Sequence, residues 1–366
     1  MIKVMKEATV GRSATVRSAE RRRQHLRVIP TAHLDCAWCA AALCEALCDE
    51  GIVLLRLPES ENAAEKFEAC LAALREFFAY DRQTKNFCAA SDGPGCQVGY
   101  MCAEAGGAEM FEAKVVHDPR WPWPNAKLRE AVLQARAVLH KTARTCLIAL
   151  AAPLGLDADA LLRLLDEDSM QDCDTTSAER FARSSNTTMR IWQYWEGGSG
   201  NEAHTDNTLL TISPPGDRVG LGVRLLPDGT PYWPEGRMRP DELILFAGDA
   251  LGYLTQGQVR PLLHWVEPPR AAGSTRMSMP FFLRPRLDAL LEPAVGRDGV
   301  EMGVHDDHAS DTPRLGAIRQ RQLEQNAGNM RWRWPWKVSP YYFVRPDGQA
   351  GEQAGLSLSS TPSKRL

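Results

Sequence analysis

From Thr187 to Arg284 the chain is written in short bursts. "TTMRIWQYW", "HTDNTLLTI", "GLGVRLL", "DELILFAGDAL", "LLHWVEP" and "TRMSMPFFLR" each set β-branched, aromatic or aliphatic residues among polar ones, with Gly, Pro or Asp between the bursts. Several short strands at regular spacing predict a β-sandwich or barrel, with a double-sheet jelly roll among the candidates. Upstream the period lengthens from two to between three and four. "CAWCAAALCEALCDE", "ENAAEKFEACLAALREFFAY", "NAKLREAVLQARAVLHKTARTCLIALAAPLG" and "DADALLRLLDE" carry apolar residues at helical spacing, the first ending at Gly51. "VIPTAHLD" predicts a short extended piece and "GIVLLRLP" a strand, whereas "DGPGCQVGYMCAEAGGAE" reads as a glycine-rich loop. The first 170 or so residues are therefore expected to be mainly helical, with a strand or two.

The expected architecture is α+β. A basic leader spans 1–27, a mainly helical region 28–175 and a β-rich core 176–292. Segment 293–366 follows with "RLGAIRQRQLEQN" as a helix, the aromatic, basic "MRWRWPWKVSPYYF" and a Gly/Ser-rich tail expected to be disordered. No internal repeat is present.

Composition narrows the function more than the fold. The 43 basic and 46 acidic residues leave a net charge of -3, which removes the usual electrostatic argument for nucleic acid and favours a small-molecule partner. No apolar run reaches membrane-spanning length; "CLIALAAPLGL" is short and broken by proline. All ten cysteines lie between Cys36 and Cys173, unlike a secreted disulfide framework, so they are expected to be reduced thiols. The location expected is cytoplasmic. The Arg-, Ser- and Ala-bearing leader has the alternative reading of an organellar transit peptide, against that of a disordered basic arm.

The candidate chemistry starts at "NEAHTDNTLLTI". Residues i and i+2 of a strand share a face, so His204 and Asp206 are expected side by side, half of a metal site. With eight histidines, His-x-Asp also arises at His33-Leu-Asp35 and His305-Asp-Asp307. Only the middle triplet is followed by a histidine on another predicted strand, His264 in "GQVRPLLHWVEP". Two histidines and a carboxylate form a facial metal triad that leaves coordination positions open. Beyond His264, "STRMSMPFFL" puts Arg276 and Ser278 on one strand face, a bidentate guanidinium and a hydroxyl suited to a carboxylate.

His204-Thr-Asp206, His264 and Arg276-x-Ser278, in this order on short strands, resemble the iron(II)/2-oxoglutarate oxygenases of the isopenicillin N synthase-like group. The similarity extends to "GLGVRLL", to "RPDELILFAGDALGYLTQGQVRPLLHWV" and, in the first half, to "VIPTAHLD", "EGIVLLRLP", "ALREFFAY" and "GYM". It covers roughly residues 28 to 292. The resemblance implies a distorted jelly roll, or double-stranded β-helix, with iron at one open end. It assigns iron to His204, Asp206 and His264, the distal carboxylate of 2-oxoglutarate to Arg276 and Ser278, and a co-substrate or substrate contact to Tyr194. Fe(II), 2-oxoglutarate and O2 are the implied cofactors, with ascorbate as a candidate reductant. Two departures stand out: Trp192 where many plant members have asparagine, and Asn207-Thr208 after the aspartate. Related halogenases replace the carboxylate that this chain keeps as Asp206, so oxygenation or another oxidation is implied. The resemblance also speaks against nucleic-acid demethylation, whose enzymes use other anchors.

Several readings stay open. One is a family oxidase that needs no 2-oxoglutarate, like isopenicillin N synthase or ACC oxidase; another is a non-catalytic jelly-roll binding protein or zinc-holding module. Phe281, Trp192 and Met279 read as pocket lining or as core. Arg190 reads as a contact for a substrate carboxylate or as a solvated strand residue, and "RWRWPW" as a lid or as a packed amphipathic segment. Cys36, Cys39, Cys44 and Cys48 spread over about half a helix circumference, so one metal cannot collect all four. "HDDH" at 305–308 reads as a solvated acidic loop. Substrate and oligomeric state are not encoded in a readable way.

Overall fold

A computed structural model describes residues 26–91, 97–103, 107–115, 123–166 and 185–286, together with 289 and 291. The basic leader, the "HDDH" loop, the C-terminal helix, the aromatic segment and the tail expected from the sequence lie outside the described residues. In chain order the first elements are strand β1 (Val28–Pro30), helix α1 (Ala37–Asp49), β2 (Ile52–Arg56), helices α2 (Ala63–Phe78) and α3 (Arg82–Asn86), and strands β3 (Ala89–Ser91), β4 (Gln97–Ala103) and β5 (Ala108–Lys114). Helices α4 (Ala126–Ala151) and α5 (Ala158–Arg163) lead to β6 (Thr188–Trp195), β7 (Asn201–His204), β8 (Leu210–Ser213), β9 (Leu221–Leu225) and β10 (Thr230–Tyr232). The last are β11 (Glu242–Ala247), helix α6 (Asp249–Leu254), β12 (His264–Val266), β13 (Thr275–Ser278) and β14 (Phe281–Leu283).

The strands build two sheets. The larger has ten strands in the order β1-β2-β11-β8-β14-β6-β5-β4-β3, with β13 also paired to β6; the smaller runs β10-β9-β12-β7. All pairs are antiparallel except β1 with β2. Consecutive strands alternate between the sheets, as β7 to β8 and β11 to β12 do, which is the wrapping of a jelly roll.

Each face of the large sheet has its own apolar cover. On one face α4 packs with α2 and α1, joining Phe67, Leu71, Leu74 and Phe77 to Leu128, Val132, Leu139 and Cys146, and to Phe111, Ile191 and Phe281 of the strands. The other face looks at the small sheet, where Ile52, Leu54, Ile244 and Phe246 meet Leu221, Val223 and Leu225. Burial of this kind contributes about 1.5–3 kcal/mol per side chain. It also explains why "IVLL" in β2 is buried without alternation, since both faces of that strand are covered. Local signals hold the helix ends: Asn125 accepts from the Leu128 N–H at the start of α4, Asp157 accepts from the Ala160 N–H at the start of α5, and Gly51 takes φ +79° after α1.

One expectation needs correcting. The first 170 residues hold five strands, not one or two. Part of the segment read as a glycine-rich loop is β4, paired along its length with β5, which pairs in turn with β6. The cause is tertiary: β4 and β5 extend a sheet whose template, β6, lies far downstream, and that pairing outweighs the local glycine signal.

Candidate active site

His204 is the last residue of β7, an edge strand of the small sheet, and lies directly opposite His264 of β12. Their imidazole centroids are 4.3 Å apart. The chain then crosses to β8 of the large sheet, and Asp206 lies in that crossing. This corrects the geometric premise drawn from the sequence: His204 and Asp206 do not share one strand face, because the strand stops at His204. They meet because the crossing turns Asp206 back toward both imidazoles. Asp206 Oδ1 lies 3.7 Å from His204 Nε2, and Oδ2 lies 3.8 Å from His264 Nε2. One ligand atom from each of the three residues falls within 4.8 Å of the others, and among the described residues no other cluster of His, Cys, Asp or Glu does this.

The orientation of these groups suits a cation. His204 Nδ1 is 2.7 Å from the Glu202 carbonyl, and His264 Nδ1 is 3.1 Å from the Leu262 carbonyl. A proton on each Nδ1 donates to that carbonyl and leaves the Nε2 lone pair facing the centre, the arrangement usual in metal-bound histidine. Asn201 Nδ2 also reaches His204 Nε2 at 3.5 Å, the limit of hydrogen bonding. Asp206 Oδ2 accepts from the Thr211 hydroxyl at 2.7 Å, and Thr211 and Thr208 share a further hydroxyl contact of 2.9 Å. Burial raises the Asp206 pKa, yet the imidazoles of His264 and His204, the Thr211 hydroxyl and Arg284 outweigh it and hold the carboxyl below its ordinary value. Burial, helped by His204, keeps the His264 imidazole below its usual pKa despite Asp206. An ionised carboxylate and a neutral imidazole are the forms that ligate. The three donors fit a divalent iron of the two-histidine, one-carboxylate type.

The second half of the site lies on β13 and β6. The pairing puts Arg276 opposite Tyr194 and Ser278 opposite Trp192, so all four share one face, the one toward the small sheet. Arg276 is 1% exposed and its guanidinium lies over the Tyr194 ring at 5.7 Å. Tyr194 stacks on Trp192 with centroids 5.7 Å apart. Burial pushes the Tyr194 phenol up to about 12 against the opposing pull of Arg276 and Ser278, so it stays protonated and able to donate.

The guanidinium is already partly used, which corrects the expectation of a free bidentate fork. Nε donates to the Arg218 carbonyl at 2.9 Å and Nη2 to Glu235 Oε1 at 2.7 Å. Nη1 is buried and has no hydrogen-bond partner among the described residues. A buried donor of this kind costs stability unless something accepts from it, so Nη1 and the Ser278 hydroxyl fit one incoming carboxylate.

The other residues flagged from sequence separate cleanly. Phe281 and Met279 belong to the helix-side core, with Phe281 against His140. Trp192 is half-buried on the site side. Arg190 lies on the same face of β6, paired with Glu112 at 2.8 Å and stacked on Phe282. The eight described cysteines are free thiols, in agreement with the reduced reading. Glu235, Thr211 and Asp217 were not flagged, and no local pattern marks them: each acts on a residue distant in sequence or across a sheet crossing.

Comparison with known proteins agrees with this geometry. Residues 193–285 match the profile of the 2OG-Fe(II) oxygenase superfamily. No curated protein matches the chain in sequence. Among solved structures, a Neurospora crassa enzyme in complex with alpha-KG and 5-formyluracil superposes with a TM-score of 0.62 at 17% identity, covering 81% of this chain and 94% of its own. A 2OG-Fe(II) oxygenase family protein from Caulobacter crescentus gives 0.60 at 19% identity, with 82% and 98% covered. The dioxygenase for auxin oxidation 1 from Arabidopsis thaliana, solved with 2-oxoglutarate, gives 0.58 at 16%, with 74% and 97% covered. At these identities the likeness is one of fold. No helix among the described residues is long and apolar enough to cross a membrane.

Proposed function

We propose that this chain, a non-haem iron(II)- and 2-oxoglutarate-dependent dioxygenase whose residues 193–285 belong to the 2OG-Fe(II) oxygenase superfamily, oxidises a small-molecule substrate by hydroxylation, desaturation or ring closure. The observation that carries this reading is the meeting of His204, Asp206 and His264 within 4.8 Å, on the same side of the large sheet as a buried Arg276 donor in need of an acceptor. The isopenicillin N synthase-like subgroup is supported by the order of motifs along the sequence.

Iron with 2-oxoglutarate supplies an oxidant able to remove hydrogen from carbon, while 2-oxoglutarate becomes succinate and CO2. The chain's own residues do the positioning. His204, Asp206 and His264 hold the ion on one side and leave the other open. Arg276 Nη1 and the Ser278 hydroxyl receive the distal carboxylate, and Tyr194 packs beneath the guanidinium. Trp192 and Tyr194, stacked on β6, give the pocket an apolar wall that excludes water. Arg190, held by Glu112 on the same face, is the candidate contact for a polar group of the substrate.

The test is succinate release across a metabolite panel, joined to anaerobic iron(II) titration. Succinate coupled to loss of a substrate, with a weak visible charge-transfer band that needs both iron and 2-oxoglutarate, is the expected result. Turnover without succinate identifies an oxidase independent of 2-oxoglutarate. Neither band nor turnover leaves a binding protein.

A further inference from the structure

We propose that Glu235 is a positioning residue for the co-substrate anchor, acting through Arg276, with Asp217 as a second clasp on the same strand. The inference rests on the reading that Arg276 and Ser278 receive the distal carboxylate of 2-oxoglutarate. Glu235 stands on a short 3₁₀ turn, Pro234–Arg237, and its side chain is 4% exposed. Its carboxylate is saturated by donors. Oε1 accepts from the Gly216 N–H at 2.9 Å and from Arg276 Nη2 at 2.7 Å, while Oε2 accepts from the N–H groups of Gly220 at 2.7 Å and Leu221 at 2.9 Å. So held, Glu235 cannot swing away, and neither can the guanidinium that it grips.

The loop between β8 and β9 closes the cradle. A Cβ on Gly220 would stand 2.4 Å from Arg276 Nε, and one on Gly216 would stand 2.9 Å from Nη2. The backbone therefore wraps the guanidinium at a distance that admits no side chain at either position. Asp217 lies in the same loop. Its N–H donates to the Met277 carbonyl at 3.1 Å, and its Oδ1 accepts from the Met277 N–H at 2.7 Å. Met277 sits between Arg276 and Ser278, and β13 pairs on one side only, with β6. Asp217 thus stands in for a missing strand and sets the spacing of the two anchor residues. Glu235 and Asp217 together leave Nη1 and the Ser278 hydroxyl as the anchor's donors.

Electrostatics alone makes the opposite forecast. Glu235 cancels much of the Arg276 charge, so its removal would strengthen attraction for a dianion. If positioning dominates, its removal weakens binding. The sign of the change decides between the two.

The experiment uses the full chain loaded anaerobically with iron(II). Glu235→Gln removes the charge and sets an amide N–H₂ against donors on one side; Glu235→Asp keeps the charge on a shorter arm; Gly220→Ala pushes directly on Nε. Steady-state kinetics give KM for 2-oxoglutarate and kcat, and titration of the visible band gives a binding constant without turnover. All three variants are expected to raise both KM and Kd for 2-oxoglutarate by about tenfold or more, the scale of one charge-assisted hydrogen bond. Iron affinity stays unchanged, and kcat at saturating 2-oxoglutarate stays within about threefold. The effect of Glu235→Gln vanishes in an Arg276→Ala background. Unchanged or tighter 2-oxoglutarate binding in Glu235→Gln, with Arg276→Ala still weakened, overturns the positioning role alone. An Arg276→Ala chain with normal 2-oxoglutarate binding overturns the anchor reading, and this inference with it.

Discussion

The two ends of the site are held in place by different means. At the metal end each histidine is oriented by a carbonyl two residues before it, Glu202 for His204 and Leu262 for His264. At the anchor end Arg276 is oriented by Glu235 and by the Arg218 carbonyl, both far away in sequence. The metal end uses neutral partners and keeps one rim open, with the His204 side chain 34% exposed against 7% for His264. The anchor end buries a full ion pair, 1% and 4% exposed. A ligand that takes its charge from a bound ion can rest on local backbone. A buried guanidinium needs a counter-ion brought from another element.

The comparison can be broken experimentally. The largest expected effect is on activity: His264→Ala or Asp206→Ala abolishes iron binding and turnover while the melting temperature shifts by only a few degrees, checked by metal content after desalting and by thermal unfolding. Arg276→Ala reverses that pattern. It raises the 2-oxoglutarate requirement and also destabilises the fold by about 3–5 kcal/mol, because Glu235 is left as a buried charge without its partner; urea unfolding measures this, and a loss below about 1 kcal/mol would erase the contrast between the two ends. Thr211→Val comes next, removing the hydroxyl that holds Asp206 Oδ2. Iron affinity then falls about 10- to 100-fold, with 2-oxoglutarate binding at saturating iron unchanged. The smallest signal is chemical. Cys44 and Cys70, each pushed up to about 12 chiefly by burial, resist alkylation at mild alkaline pH in the native chain and in these variants, as read by mass spectrometry. Labelling of Cys70 in a site variant would show that the helical layer had opened.

What the sequence made legible follows the same division. Helix spacing located α1, α2, α4 and α5, and alternation located the strands of the core, because both report local periodicity. His204, Asp206 and His264 were legible since two sit in one triplet and the third opens a strand. Even there the reason was incomplete: the triplet works through a crossing between sheets, not through one strand face. Glu235 was not legible, since "YWPEGRM" has no pattern that points to Arg276. The same holds for β4, whose partners are β3, β5 and, through β5, the distant β6. Pairing between segments far apart in sequence leaves little mark on either segment alone.

His204 ends an edge strand, and its imidazole is the most open of the three. An ion seated there is walled in by Asp206 and His264 yet reachable across that single ring. The site can therefore be emptied by a chelator and refilled while both sheets stay closed, which makes occupancy a matter of supply around the finished protein and not of its folding.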